Sequence, residues 1–126
     1  MLLVKTHIKF SPIHGLGCYA AEDIKKGQVV WEFNPKLDLS IDAEELSSFP
    51  PAIVEFLKMY TYGQEEGFKK TLVLCGDHAR HMNHTTDPNL SEEDGKNIAV
   101  RDIKAGEELT CDYSLFDSNV DDKLKV

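Results

Sequence analysis

Short apolar runs separated by turn residues dominate the chain, and one stretch departs from them. Residues 4–10, 18–20 and 28–33 are rich in β-branched and aromatic side chains, which predicts strands. Ser11-Pro12-Ile13-His14-Gly15-Leu16-Gly17 makes a turn-rich loop between the first two; Lys25-Lys26-Gly27 leads into the third, and Asn34-Pro35 ends it. Between residues 42 and 62 the period changes. Asp42 is placed to cap a short helix, Phe49-Pro50-Pro51 interrupts it, and Pro51 suits the first turn of a second helix, where its missing N–H is not needed. Ile53, Phe56, Leu57 and Tyr60 then recur at helical spacing as one apolar face, and Gly63 is placed to stop that helix. Strands return with residues 71–75, and residues 97–101 and 108–111 read as two strands of a hairpin.

Two further features stand outside this pattern. Asp23-Ile24-Lys25-Lys26-Gly27 is echoed by Asp102-Ile103-Lys104-Ala105-Gly106, each a tight turn with Gly at a position suited to positive φ. The echo is too short for a solenoid and predicts two similar turns folded against each other in a small curled-sheet domain. Residues 75–90 form a long, polar, His-rich segment, and loops of that length are usually functional or disordered.

The length of 126 residues suits one domain, and a hydrophobic share of 41% supplies one modest core. Fourteen Lys and Arg face twenty-two Asp and Glu, for a formal charge of −8. That balance argues against nucleic acid and anionic membrane surfaces as partners, and it is compatible with a cationic, Lys-rich protein. Met1-Leu2-Leu3-Val4 meets Lys5 at once, too short for a signal-peptide core, and no apolar run approaches the ~20 residues of a membrane span. The cysteines, Cys18, Cys75 and Cys111, are odd in number and widely spaced, so a four-cysteine zinc site is not expected. A reducing cytosol fits them best, and a cytoplasmic location is expected, with the nucleus open in a eukaryotic host.

Taken singly, the candidate chemistry is weak. Gly15-Leu16-Gly17 lacks the third glycine and following helix of a dinucleotide fingerprint, and is otherwise a hairpin whose bare backbone can approach a small ligand. His78, His81 and His84 invite a metal reading, but no carboxylate or cysteine set at matching spacing joins them, so no metal is expected. Tyr113, at the end of a short strand, reads alone as a packing residue.

In order, the same pieces resemble the SET-domain lysine methyltransferases. The early GxG is Gly15-Leu16-Gly17 followed by Cys18-Tyr19-Ala20. The Arg-x-x-Asn-His-Ser-x-x-Pro-Asn signature is Arg80 through Asn89, and the Gly-Glu-Glu-Leu-Thr-x-Asp-Tyr signature is Gly106 through Tyr113. The resemblance covers residues 5–113 of a single domain over residues 1–126. It implies a mainly β (α+β) fold of the β-clip kind: small curled sheets around a short central helical segment, with a knot-like C-terminal arrangement. It implies transfer of methyl groups from S-adenosylmethionine to a lysine side chain of a protein substrate. Gly15, Leu16, Gly17, Asn83 and His84 would contact the cofactor, with Arg80 adding a polar contact. An aromatic of the central segment usually contributes: Tyr60 is assigned to the cofactor and Tyr62 to the substrate channel, although spacing does not separate them. Tyr113 matches the catalytic tyrosine.

The chain departs from the family pattern in three places. Thr85 replaces the signature Ser and keeps the hydroxyl. Cys111 stands where many relatives have Phe or Tyr, which implies a roomier channel that admits di- or trimethylation. Residues 114–126 carry no cysteine, so the zinc-binding cluster with which many relatives close the channel is not expected; Leu115 and Phe116 could form an apolar lid, or a second subunit could complete the site in a homodimer. A non-catalytic module of the same fold that only holds a peptide or the cofactor is the alternative function, and a metal-binding interaction domain built on the histidines is the third.

Overall fold

The computed structural model describes residues 1–66 and 69–112. Chain order runs β1 (Thr6–Phe10), β2 (Leu16–Ala20), β3 (Val29–Glu32), β4 (Leu39–Asp42), a 3-10 turn (Ala43–Ser48), α1 (Pro51–Tyr60), β5 (Thr61–Glu66), β6 (Lys69–Leu74), a second 3-10 turn (His78–His81), β7 (Asn83–His84), β8 (Leu90–Glu93), β9 (Lys96–Ala99) and β10 (Thr110–Cys111). Among the described residues the strands form four small sheets, ordered β1-β2, β3-β9-β8, β4-β6-β5 and β10-β7. This is the mainly β arrangement of small sheets that the sequence predicts.

The helix forms where its local signals place it. Asp42 caps the first 3-10 turn by accepting from the Glu44 N–H at 3.1 Å, and Pro51 occupies the first turn of α1. The helix ends at Tyr60, before the expected stop at Gly63. β-Branched Thr61 takes the strand conformation, and its hydroxyl donates to the Leu57 carbonyl at 2.5 Å, so Gly63 lies inside β5. Leu57 is the buried anchor of the helix, while Ile53 stays exposed.

The two echoed turns pack as a near-symmetric pair. Ile24 and Ile103 exchange backbone hydrogen bonds at 2.7 and 2.8 Å. Asp23 accepts from the Ala105 N–H, and Asp102 from the Lys26 N–H, both at 2.9 Å. Gly27 and Gly106 take φ values of 86° and 96°, a region open to glycine. Gly27 N–H donates to Ala99, and Gly106 N–H to Ala20, both at 2.8 Å. Ile24 and Ile103 thus lie at the centre of a core with Cys18, Val30, Leu90 and Leu109.

The expected hairpin of residues 97–101 and 108–111 does not form. β9 is already paired on both edges, by β3 and β8, and the chain then enters the second echoed turn. β10 therefore pairs with β7 instead, in parallel, with Thr110 opposite Asn83 and Cys111 opposite His84. This pairing brings two long motifs together across the core.

Candidate active site

The parallel pair fixes the first half of the site. Thr85 N–H donates to the Cys111 carbonyl at 3.0 Å and extends the β7-β10 pairing by one bond. Asn89 fastens the other side: its Nδ2 donates to the Glu108 carbonyl at 2.8 Å and its Oδ1 accepts from the Thr110 N–H at 2.9 Å. With the backbone so held, Asn83 Nδ2 reaches the glycine loop and donates to the His14 carbonyl at 3.0 Å and the Leu16 carbonyl at 3.2 Å. It also donates to Glu108 Oε2 at 2.9 Å. A carboxamide nitrogen has two hydrogens, so these three acceptors commit both, and Oδ1 is the acceptor that remains for a ligand.

The loop itself is shaped by its glycines. Gly15 has a φ of 46° and open space where a side chain would start. Gly17 is different. A Cβ there would lie 2.5 Å from Glu108 Oε2, so its bareness admits that carboxylate. His84 Nδ1 lies 3.6 Å from Asp112 Oδ1.

The second half is a cavity of about 30 Å³, room for roughly one water-sized group, lined in part by Tyr60, Tyr62, Arg80 and Cys111. Tyr60 stands edge-on to His81 at 5.4 Å and against Phe56 at 4.9 Å. Arg80 Nε donates to the Cys75 carbonyl at 3.1 Å, and its guanidinium lies over Phe56. Tyr62 meets Trp31 edge-on at 6.1 Å on the opposite wall. Trp31 and Asn97 face each other in the β3-β9 register and line the same cavity, and their buried Nε1 and Oδ1 atoms have no hydrogen-bond partner among the described residues. A buried donor and acceptor so left mark a place where a polar group fits.

The three histidines of the polar segment go to separate partners. His78 Nδ1 is 2.9 Å from the Thr6 hydroxyl, His81 packs on Tyr60, and His84 faces Asp112. Among the described residues no group of three or more His, Cys, Asp or Glu side chains is placed to hold a metal ion. Burial, then the Arg80 and His78 charges, lower the His81 pKa and favour its neutral ring. Burial, and secondarily the Glu108 carboxylate, push the Tyr19 hydroxyl up. All three cysteines are buried, and none forms a disulfide.

The structure thus brings Asn83 to the Gly15-Leu16-Gly17 loop and Tyr60, Tyr62, Arg80 and Cys111 around the cavity, while His84 follows Asn83 on β7, opposite Cys111 and facing Asp112. Tyr113 and Phe116 lie outside the described residues. Sequence reasoning missed Glu108, Trp31 and Asn97. Glu108 stood inside a quoted motif, and Trp31 is the chain's single Trp, but neither signal names a partner.

Comparison with known proteins identifies the family. The family described as the SET domain matches residues 15–114. A histone-lysine N-methyltransferase EZH2 of Chaetomium thermophilum is 32% identical over 123 residues, covering 87% of this chain and 8% of the relative. A histone-lysine N-methyltransferase of Mycosarcoma maydis, H3 lysine-4 specific, is 34% identical over 129 residues, covering 94% of this chain and 9% of the relative. The chain therefore spans under a tenth of the length of these two relatives. Among solved structures, Chaetomium thermophilum Polycomb Repressive Complex 2 bound to GSK126 superposes with a TM-score of 0.72 at 26% identity, covering 97% of this chain and 17% of that one. A ctPRC2 structure in an autoinhibited conformation bound to S-adenosylmethionine gives 0.70 at 27% identity, covering 97% and 16%.

Proposed function

We propose that this chain, which belongs to the SET-domain family, transfers methyl groups from S-adenosylmethionine to the side-chain amine of a lysine in a protein substrate. One observation carries the reading: three motifs distant in sequence converge, because β7 and β10 pair in parallel while Asn83 holds the glycine loop. The residues present fit the cofactor. The Asn83 Oδ1 acceptor suits an ammonium group, and the open space at Gly15 allows close backbone approach. Gly15, Leu16, Gly17, Asn83 and His84 would hold it, with Tyr60 and Arg80 beside them. When bound, the cofactor supplies a methyl group activated on a cationic sulfur.

Tyr113 is the proposed catalytic residue, on the strength of its motif, and Tyr62, Cys111 and Phe116 are the proposed channel. The lysine amine must be neutral to attack. An apolar channel beside a positive charge lowers its pKa by desolvation and repulsion. The Tyr113 hydroxyl then orients the amine, and such alignment is worth ~7–11 kcal/mol in favourable cases. Cys111 is smaller than the Phe or Tyr of many relatives, and this supports reading the channel as one that accepts a second or third methyl group. The substrate is a protein with a lysine in a basic segment, a class that includes the histones named by the relatives. We read residues 1–126 as one domain that works as a homodimer. A cytoplasmic setting is favoured by three cysteines that form no disulfide. Among the described residues no helix is long and apolar enough to cross a membrane.

The test compares the wild-type chain with Tyr113→Phe. S-adenosylmethionine should raise the melting temperature of both, since a ligand that binds the native state stabilises it. Radiolabelled methyl transfer to a basic protein mixture should fall about 100-fold or more in the variant. Near-normal turnover by the variant removes Tyr113 from its role. Binding without turnover by the wild type leaves a non-catalytic module, and no binding by the wild type removes the cofactor. Mass spectrometry of the products reads the target lysine and the methyl count in the same experiment.

A further inference from the structure

We propose that Glu108 is the positioning residue of the cofactor site: its carboxylate holds the Asn83 carboxamide nitrogen and the glycine loop together, and so fixes Oδ1 as the end offered to the cofactor's ammonium group. The proposal rests on the S-adenosylmethionine reading above.

Glu108 is the meeting point of three elements. Its carboxylate accepts from the Ser11 hydroxyl at 2.8 Å through either oxygen and from Asn83 Nδ2 at 2.9 Å, and it lies 3.4 Å from the Tyr19 hydroxyl, which donates at 3.0 Å to the Phe10 carbonyl. Ser11 belongs to the loop after β1, Tyr19 to β2 and Asn83 to β7, so one side chain ties the glycine hairpin to the Asn-His strand. Neighbouring Glu107 serves a different purpose, accepting from the Lys104 N–H within the second echoed turn. The two adjacent acids of this motif therefore have separate tasks.

The backbone that carries this carboxylate is held from both sides. Glu108 bridges Tyr19 in antiparallel fashion, and the following residue, Leu109, donates to the Cys18 carbonyl at 2.8 Å. Asn89 grips the Glu108 carbonyl from β10's other flank. The carboxylate in its observed place lies where a side chain at residue 17 would crowd it, since a Cβ would fall 2.5 Å from Oε2. The second glycine of the loop and the second glutamate of the late motif thus meet in space.

This arrangement settles the polarity of Asn83. A carboxamide can turn end for end at little steric cost, and the two orientations present opposite dipoles to a ligand. Two carbonyls and a carboxylate all select the nitrogen, the last through a charge-assisted bond. Turned the other way, the NH2 group would face a cation and Oδ1 would face three acceptors. Glu108 acts through Asn83 without itself touching the cofactor.

The test measures binding rather than turnover. S-adenosylmethionine is titrated by calorimetry against wild type, Glu108→Ala, Glu108→Gln, Asn83→Ala and the Asn83→Ala/Glu108→Ala double variant. A second titration uses 5′-methylthioadenosine, which lacks the amino-acid part and its ammonium. Glu108→Ala should weaken S-adenosylmethionine about tenfold or more, the worth of a charge-assisted bond, while 5′-methylthioadenosine changes by less than about twofold. Glu108→Gln keeps an acceptor for Asn83 Nδ2 and should recover most of the loss. In the Asn83→Ala background, Glu108→Ala should add nothing, because the two residues form one pathway. Equal losses for both ligands would overturn the proposal in favour of a general structural role. Additive losses would overturn it in favour of direct contact between Glu108 and the cofactor. If wild type binds neither ligand, the cofactor reading fails and takes this proposal with it; binding by wild type with no effect of Glu108→Ala sinks the proposal alone.

Discussion

Burial pushes the Cys18 thiol from its ordinary 9.0 up to about 12, with smaller contributions from the Asp77 and Glu108 carboxylates. The folded chain therefore keeps a proton that the unfolded chain releases near 9.0. Stability from this group is complete below that pH and is lost as the pH rises toward about 12. Melting temperature should accordingly decline over this alkaline window, and the decline should be shallower in Cys18→Ala, whatever that variant's absolute stability. Alkylation by iodoacetamide at about pH 8 should spare Cys18 in the native chain and reach it in urea, because the thiolate is the reactive form. A wild-type slope identical to that of Cys18→Ala would show that the thiol ionises alike in both states. Residue chemistry of this kind is legible in sequence only as identity. Gly17 could be read as a bare position for a ligand, but the carboxylate that comes within 2.5 Å of its missing Cβ belongs to Glu108, far along the chain.

At the level of elements, local signals survived and long-range pairings did not. Pro51 and the helical spacing to Tyr60 specify α1 from within ten residues, so the helix forms where expected. The hairpin of residues 97–101 and 108–111 failed because each run alone reads as a strand, while the choice of neighbour depends on β3, β7 and β8. The echoed turns sit between these cases: the sequence repeat predicted their mutual packing, and the exchanged bonds of Ile24 and Ile103 supply it. Both isoleucines are about 1% exposed and belong to one core, so Ile24→Ala and Ile103→Ala should each destabilise by about 2–5 kcal/mol in urea unfolding. The double variant should cost less than the two losses added, since neighbours in one cluster do not act independently. Strict additivity would mean that the two turns are held separately, and the near-symmetric pairing would lose its energetic meaning.

For the whole molecule, the charge of −8 acquires a use if the substrate is a lysine in a basic segment. Glu44 and Glu45 are exposed on the first 3-10 turn, and Glu93 and Asp94 at the β8-β9 turn. Glu65, Glu66 and Glu92 add formal charge, although Glu92 already accepts from the Gly95 N–H. Exposed charges act on a partner mainly through association, and salt screens them over about 8–10 Å at physiological strength. Raising salt from about 50 to about 300 mM should therefore raise KM for a Lys-rich peptide and leave kcat and S-adenosylmethionine affinity little changed. Glu93→Gln with Asp94→Asn should flatten that dependence. Asn suits the position because residue 94 has a φ of 52°, a left-handed conformation that Asn tolerates. A KM insensitive to salt in the wild-type chain would make the acidic surface a solubility device. A salt effect unaltered by the double substitution would move steering to the acids of the first 3-10 turn, which lies between the glycine loop and α1 in sequence, and would reorient the proposed path of the substrate.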